Sequence, residues 1–116
     1  RWRIGYAARM ETIHPNTHVT HEQIAAFCAK HQITQMELFG SILRDDFDDE
    51  SDVDVLVVFA PDAHVSMFSL VRMEDELAEL FGRKVDLVER KAIEESPNWI
   101  RRRSILAAPK LIWAAA

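Results

Sequence analysis

The chain has 116 residues, of which 48% are hydrophobic and 28% are charged, and its net charge is −5. This length predicts one domain with its own core, and no apolar run approaches the roughly 20 residues that a membrane span needs. The acidic balance argues against broad nucleic-acid binding, which requires a basic face. A single cysteine excludes an internal disulfide and is typical of a reducing compartment, so we expect a cytoplasmic protein that binds neither membrane nor nucleic acid directly.

The first methionine, Met10, follows the stretch RWRIGYAAR. That stretch lacks the apolar segment and the cleavage pattern of a signal peptide. We therefore interpret residues 1–9 as an N-terminal extension or a cloning remnant, and residues 10–116 as a single domain. Cys28 is interpreted as a small core hydrophobe on a helix, since free cysteines are mostly buried.

The first half of the chain predicts a helix, a strand and a short second helix. Thr20 with Gln23 three residues later is a capping box, and apolar residues recur at helical spacing over 21–31. Residues 34–39 predict a strand that ends at Gly40. Residues 41–45 predict a short helix, with Ser41 at its N-terminus.

The second half adds two strands and two helices. Residues 52–59 are apolar on both faces after the first positions, which is typical of a strand covered on both sides. The remaining predicted elements are a helix over 66–81 that stops at Gly82, a strand over 84–89, a helix over 97–107 capped by Ser96, and a terminal strand over 111–113. This order predicts an α/β (α+β) fold with a small mixed β-sheet flanked by helices.

Two aspartates, Asp52 and Asp54, stand one residue apart at the start of the central strand. Alternate residues of a strand point to the same face, so the two carboxylates project together and repel each other. A divalent cation between them would remove that repulsion, and Mg²⁺ uses one or two carboxylates together with water and phosphate oxygens. Gly40 and Ser41 suit a phosphate site, because glycine admits close approach and a helix N-terminus attracts anions. The alternatives are a solvated turn for the aspartates and a simple N-cap for Ser41.

The charged residues around these motifs allow two interpretations each. Arg44, one turn after Ser41, suits a phosphate contact, or equally a surface ion pair with Asp48 or Asp49. Asp86 lies between two apolar residues of the third strand, where a carboxylate needs a partner, and a salt bridge to Arg83 or Lys84 would supply one.

Two further charged segments have mainly structural interpretations. The acidic run 45–50 lacks the spacing of a calcium-binding loop, and we interpret it as a solvated loop that Phe47 pins to the body. Three consecutive arginines, 101–103, point in different directions around a helix, so they form either a solvated face or part of a partner-binding surface.

The spacing Gly40-Ser41, ten residues, then Asp52-Val53-Asp54 resembles the signature of the nucleotidyltransferase superfamily that includes DNA polymerase beta. The chain resembles in particular the minimal nucleotidyltransferases (MNT proteins), many of which are antitoxins paired with HEPN-domain toxins. The segments LFGS-x-x-R-x-x-F, SDVDVLVVF, ELFGRKVDLVE and IRRRSIL carry this resemblance in the family's order, over most of residues 37–106. The chain departs from many relatives in having Arg44-Asp45 where they have Arg-Gly.

The resemblance implies a polymerase-beta-like fold and assigns roles to six residues. Catalysis and the binding of two Mg²⁺ ions would fall to Asp52, Asp54 and Asp86. Nucleotide binding would fall to Gly40, Ser41 and Arg44.

The implied reaction is transfer of a nucleoside monophosphate, AMP from ATP, to a hydroxyl group. The implied acceptor is a HEPN-type toxin, with which the chain would form a hetero-oligomer as antitoxin. A chain of this length leaves no room for a domain that holds nucleic acid, so we expect a partner to present the acceptor. Two alternatives stay open: an antitoxin that masks its partner without catalysis, and a transferase that acts on a small molecule.

Overall fold

A computed structural model of the protein describes residues 10–115 and contains one four-stranded sheet. Its strands are β1 (Ile33–Phe39), β2 (Val53–Phe59), β3 (Val85–Glu89) and β4 (Lys110–Ala114), in the order β3-β2-β1-β4. β1 pairs antiparallel with β2 and β4, whereas β2 pairs parallel with β3. The sheet is therefore mixed, as predicted, and the two parallel strands are the two that contain the aspartates. The predicted extension, residues 1–9, lies outside the described residues.

From residue 20 to residue 115, four α-helices flank the sheet: α1 (His21–Lys30), α2 (Met67–Phe81), α3 (Arg90–Glu94) and α4 (Trp99–Leu106). The predicted capping box starts α1, with the Thr20 hydroxyl and the Gln23 side chain each bonded to the other residue's backbone. α2 begins after Ser66 and ends at Gly82, whose φ of 68° gives the left-handed turn that stops a helix. No helix among residues 10–115 is long and apolar enough to cross a membrane.

The principal core lies between one face of the sheet and the helices α1 and α2. Val53, Val55 and Val57 of β2 point into it and are fully buried, together with Met36 and Leu38 of β1. Because side chains alternate along a strand, Asp54 and Leu56 point to the opposite face, which α3 partly covers. Cys28 belongs to this core, and burial raises the pKa of its thiol to about 12, which confirms its interpretation as a core hydrophobe.

The last helix starts later than predicted. Asn98 caps α4 by accepting a hydrogen bond from the Arg101 amide, while Ser96 accepts one from the Asn98 amide in the turn before it. The prediction of Ser96 as N-cap is therefore wrong. Helix α3 was not predicted, and the strand expected near residues 111–113 is confirmed as β4. α4 buries none of its residues, and Arg102 donates to the Ser96 carbonyl.

Candidate active site

The site begins at Gly40, where the chain leaves β1. Gly40 has a φ of 75°, and a Cβ atom at this position would overlap the Oδ2 atom of Asp54. Residue 39 pairs with Asp54 across the β1–β2 ladder, which brings the turn beside that aspartate. Glycine is therefore required both by the backbone conformation and by the carboxylate that lies against it.

Three carboxylates meet beside this turn. Asp54 on β2 lies directly opposite Asp86 on β3 in the parallel register, and Asp52 immediately precedes β2. Asp54 is half-buried, whereas the side chains of Asp52 and Asp86 are exposed. The pKa of Asp54 is raised by burial first, and then by the negative charges of Asp86 and Asp52, while Arg44 opposes the shift. The pairing of β2 with β3 thus brings together the three aspartates that were predicted as site residues.

The donor chemistry of this cluster suits a hard divalent cation. Residues 10–115 contain no ready-made cage of three or more His, Cys, Asp or Glu side chains. Mg²⁺ does not need one, because it takes one or two carboxylates and completes its octahedron with water and phosphate oxygens. The unfavourable charge on Asp54 is the feature that a bound cation would relieve. The assignment of metal ligands among the three aspartates stays a prediction.

Ser41 has a different structural role from the one expected. Residues Gly40–Leu43 form a four-residue 3-10 turn, whose N-cap is Phe39 with no side-chain cap. The predicted short helix is thus present as a 3-10 helix that starts one residue earlier and ends sooner, and the interpretation of Ser41 as its N-cap is wrong. The Ser41 hydroxyl instead donates to the main-chain carbonyl of Asp52, over 3.2 Å, and so ties the turn to the first aspartate. Nucleotide binding by Gly40 and Ser41 stays a prediction.

Arg44 lies within electrostatic reach of Asp54 and also forms an ion pair. Its Nε atom is 3.1 Å from Oδ1 of Asp46, and both side chains are largely exposed. The partner is thus Asp46 and neither Asp48 nor Asp49. Because an exposed pair of this kind contributes little, the guanidinium is free to turn toward a phosphate group. That contact stays a prediction.

Asp86 forms no ion pair with Arg83 or Lys84 in the described part of the chain. Lys84 lies instead near Asp52, with 4.0 Å between Nζ and Oδ2. Arg83 donates from Nη1 to the carbonyl oxygens of Asp48 and Ser51, so the alternative of a salt bridge to Asp86 is wrong. The sequence analysis considered both basic residues only as partners of Asp86 and missed their actual contacts. Only the pairing of Val53 with Val85 brings Lys84 beside Asp52.

Comparisons with known proteins identify the family and the fold. The description "Nucleotidyltransferase domain" belongs to a family model that matches residues 21–110. One protein of Methanocaldococcus jannaschii, named as a candidate protein adenylyltransferase, is 34% identical over 71 residues, which are 61% of this chain and 74% of that protein. Another so named from the same organism is 40% identical over 67 residues, 56% of this chain and 64% of that protein. The chain thus spans less than two thirds of the second relative's length.

Solved structures share the fold. A toxin–antitoxin complex with AMP-PNP has a TM-score of 0.64 at 18% identity, over 82% of this chain and 73% of the other. A complex of tri-AMPylated HEPN toxin with MNT antitoxin from Shewanella oneidensis has a TM-score of 0.57 at 18% identity, over 82% and 70%. A structure described as a candidate minimal nucleotidyltransferase has a TM-score of 0.58 at 27% identity, over 80% and 87%. With the family model covering most of its length, the chain belongs to the nucleotidyltransferase domain family and is a nucleotidyltransferase with the fold of the minimal members.

Proposed function

We propose that this enzyme transfers AMP from ATP to a hydroxyl group of a protein partner, and that the partner is a HEPN-type toxin which the transfer silences. The observation that carries the proposal is the convergence of Asp52, Asp54 and Asp86 beside the Gly40–Ser41 turn. The names of the curated relatives support the adenylyl group. The complex of a tri-AMPylated toxin with an MNT antitoxin, which shares the fold, supports the partner class.

Asp52, Asp54 and Asp86 would hold two Mg²⁺ ions. Bound in this position, the ions would activate the attacking oxygen and stabilise the negative charge of the leaving pyrophosphate. Asp54 is the natural anchor, because its half-buried carboxylate has the most to gain from a neighbouring positive charge.

The other residues orient the reactants. Gly40 leaves room for the cation-binding carboxylate, and Ser41 holds the Asp52 segment through its carbonyl. Arg44 is within reach to contact the triphosphate with its planar guanidinium. The acceptor oxygen attacks the α-phosphorus, and the bond between this phosphorus and the leaving pyrophosphate breaks. Asp86, the exposed carboxylate on the edge strand, accepts the proton of the acceptor hydroxyl.

The test is substoichiometric transfer. The HEPN-domain partner is incubated with ATP, Mg²⁺ and a tenth of its molar amount of this chain, and its intact mass is then measured. We expect most partner molecules to gain the mass of one or more adenylyl groups, and none to do so with Asp52→Asn. An unchanged partner mass, after confirmation that the two proteins bind, contradicts the proposal.

A masking antitoxin is the second candidate, favoured by the assembled toxin–antitoxin complexes among the structures of the same fold. Masking requires at least one molecule of this chain for each partner, whereas an enzyme turns over. If equimolar Asp52→Asn silences the partner as well as wild type does, and neither protein adds mass to the partner, masking is the function.

A further inference from the structure

The acidic loop, residues 45–51, connects the Gly40–Ser41 turn to Asp52. Five of its residues are acidic and exposed: Asp45, Asp46, Asp48, Asp49 and Glu50. Like charges at such spacing repel one another and favour an expanded segment. The position of Asp52 at the end of the loop therefore depends on contacts that hold the loop against this repulsion.

Arg83 supplies those contacts to the loop backbone. Its Nη1 atom donates to the carbonyl of Asp48 over 2.6 Å and to the carbonyl of Ser51 over 2.9 Å. The guanidinium carbon lies 4.4 Å from the centre of the Phe47 ring, and that ring packs against the core, as predicted for Phe47. The Arg83 guanidinium thus contacts the loop at three residues and adds positive charge among its acidic side chains.

Arg83 is itself held at the junction of the elements that form the site. It follows Gly82, the left-handed residue that ends α2, and its amide donates to the Ala78 carbonyl over 3.2 Å. The next residue, Lys84, accepts a hydrogen bond from the Val53 amide over 3.0 Å, where the pairing of β2 with β3 begins. The loop is therefore clamped to the same strand pair that presents Asp54 and Asp86.

We propose that Arg83 is a positioning residue of the active site, which fixes the acidic loop so that Asp52 and Asp54 are presented together to a divalent cation. Arg83 acts through the loop backbone, since the donor atom that it directs at the loop is occupied by two carbonyl groups. The inference depends on the proposed function only in requiring that the aspartates bind a cation. It does not depend on the nucleotide, the acceptor or the partner.

The test compares Arg83→Lys with Arg72→Lys in the full chain without nucleotide. Lysine retains the charge but loses the planar guanidinium that lies over the Phe47 ring while its Nη1 atom donates to both carbonyls. Arg72, an exposed arginine of α2 with no ion pair in residues 10–115, is the matched control. We measure Mn²⁺ binding and, separately in metal-free protein, amide hydrogen exchange of residues 45–52.

For Arg83→Lys we expect about tenfold weaker Mn²⁺ binding, as is typical when a residue that orients metal ligands is changed. We also expect faster exchange in the acidic loop with unchanged exchange in β1 and α1. Arg72→Lys should match wild type in both measurements. Phe47→Leu, which removes the ring under Arg83 but keeps an apolar side chain against the core, should produce the same changes to a smaller extent and serves if Arg83→Lys does not fold.

Two results would overturn the inference: Mn²⁺ binding in Arg83→Lys equal to wild type, or loop exchange equal to wild type. A general loss of stability is recognised by faster exchange throughout the sheet, and it too counts against a positioning role. If wild type binds Mn²⁺ and Arg83→Lys shows the expected changes, but wild type transfers no AMP, the proposed function fails while the role of Arg83 stands.

Discussion

Asp54 carries its negative charge in an unfavourable place. It is half-buried, and the charges of Asp86 and Asp52 add to the effect of burial in raising its pKa. A raised pKa means that folding disfavours the ionised form, so the carboxylate stabilises the fold least at neutral pH, where it is charged. A residue that weakens the metal-free protein in this way is typical of a functional site.

The substitution Asp54→Asn separates the effect of this carboxylate on stability from its effect on catalysis. Without divalent cations, we expect the variant to be at least as stable as wild type at neutral pH, because it removes a buried charge and its repulsion. AMP transfer should fall by a factor of at least about a hundred, which corresponds to roughly 2.7 kcal/mol of transition-state stabilisation. Urea unfolding in the presence of a chelator measures the stability. Transfer of label from α-labelled ATP measures the rate of AMP transfer. Full transfer by the variant would contradict the assignment of Asp54.

The two glycines with positive φ offer a matched pair of substitutions. Gly40 and Gly82 have φ values of 75° and 68°, so alanine at either place adopts a left-handed conformation that costs roughly 1–2 kcal/mol. A Cβ at Gly82 meets nothing within 4 Å, whereas one at Gly40 overlaps the Asp54 carboxylate. We expect both alanine variants to lose stability in urea unfolding, Gly40→Ala at least as much as Gly82→Ala, and only Gly40→Ala to lose AMP transfer. Equal transfer rates for the two variants would show that the contact with Asp54 is unimportant.

At the scale of elements, one carboxylate ties α1 to α2. Oε1 of Glu76 accepts from Nζ of Lys30 over 3.0 Å and contacts Nε2 of His31 over 3.1 Å. Burial alone would raise the pKa of Glu76, but the hydrogen bonds and charges of Lys30 and His31 together lower it below its usual value. The ionised carboxylate therefore stabilises the fold above the ordinary pKa of 4.5, and this contribution is lost as pH falls through the lowered value.

We expect Glu76→Gln to lose about 0.2–1 kcal/mol of unfolding free energy at neutral pH, as is usual for a partly exposed ion pair. The difference from wild type should shrink as pH falls below 4.5, where Glu76 of the unfolded chain becomes protonated, and disappear below the lowered pKa of Glu76 in the folded protein. Urea unfolding at about pH 7 and about pH 3 checks this expectation. Glu79→Gln is the control, an exposed acid of the same helix with no ion pair in the described residues. A difference that persists at low pH would point to lost packing rather than lost charge.

Elements whose signals are local were predictable from the sequence. The capping box of α1, the periodicity and terminal glycine of α2, and the apolar run of β2 are each contained in one segment, and the structure confirms all three. The five residues of α3 are too few to show a period. Asn98 and Ser96 are equally good caps by residue type, and only the observed hydrogen bonds decide between them.

The site was predictable where its residues are contiguous, and less so where the sheet brings them together. Gly40-Ser41 and Asp52-Val53-Asp54 are visible as motifs, and family resemblance added Asp86. The contacts of Arg83 with Asp48 and Ser51 join residues more than 30 positions apart, through carbonyl groups that every residue has. No side-chain pattern in the sequence records such contacts, since their partners are main-chain atoms.

At the scale of the molecule, the sheet order explains why the site is open on one side. β2 is an interior strand and β3 an edge strand, so Asp54 has neighbours on both sides while Asp86 lies at the margin. Glu74 of α2 accepts a hydrogen bond from the Leu87 amide over 2.9 Å and so occupies part of the free edge. The anchor carboxylate is thus shielded and the outer carboxylate is exposed, which fits a reaction whose acceptor approaches from the edge of β3.

Ligand-linked stability tests the whole site at once, without requiring turnover. A ligand that binds only the folded chain adds about 2.7 kcal/mol to the unfolding free energy at a hundred times its Kd, which for a domain of this size raises Tm by roughly 10 °C. We expect Mg²⁺ together with α,β-methylene-ATP, which cannot release pyrophosphate, to raise Tm in this way. Either ligand alone should do less, because the cation would be shared between the aspartates and the phosphate oxygens. Asp54→Asn should lose the joint effect and Arg72→Gln should keep it. A shift of equal size in Asp54→Asn would place the nucleotide away from the three aspartates and contradict the site.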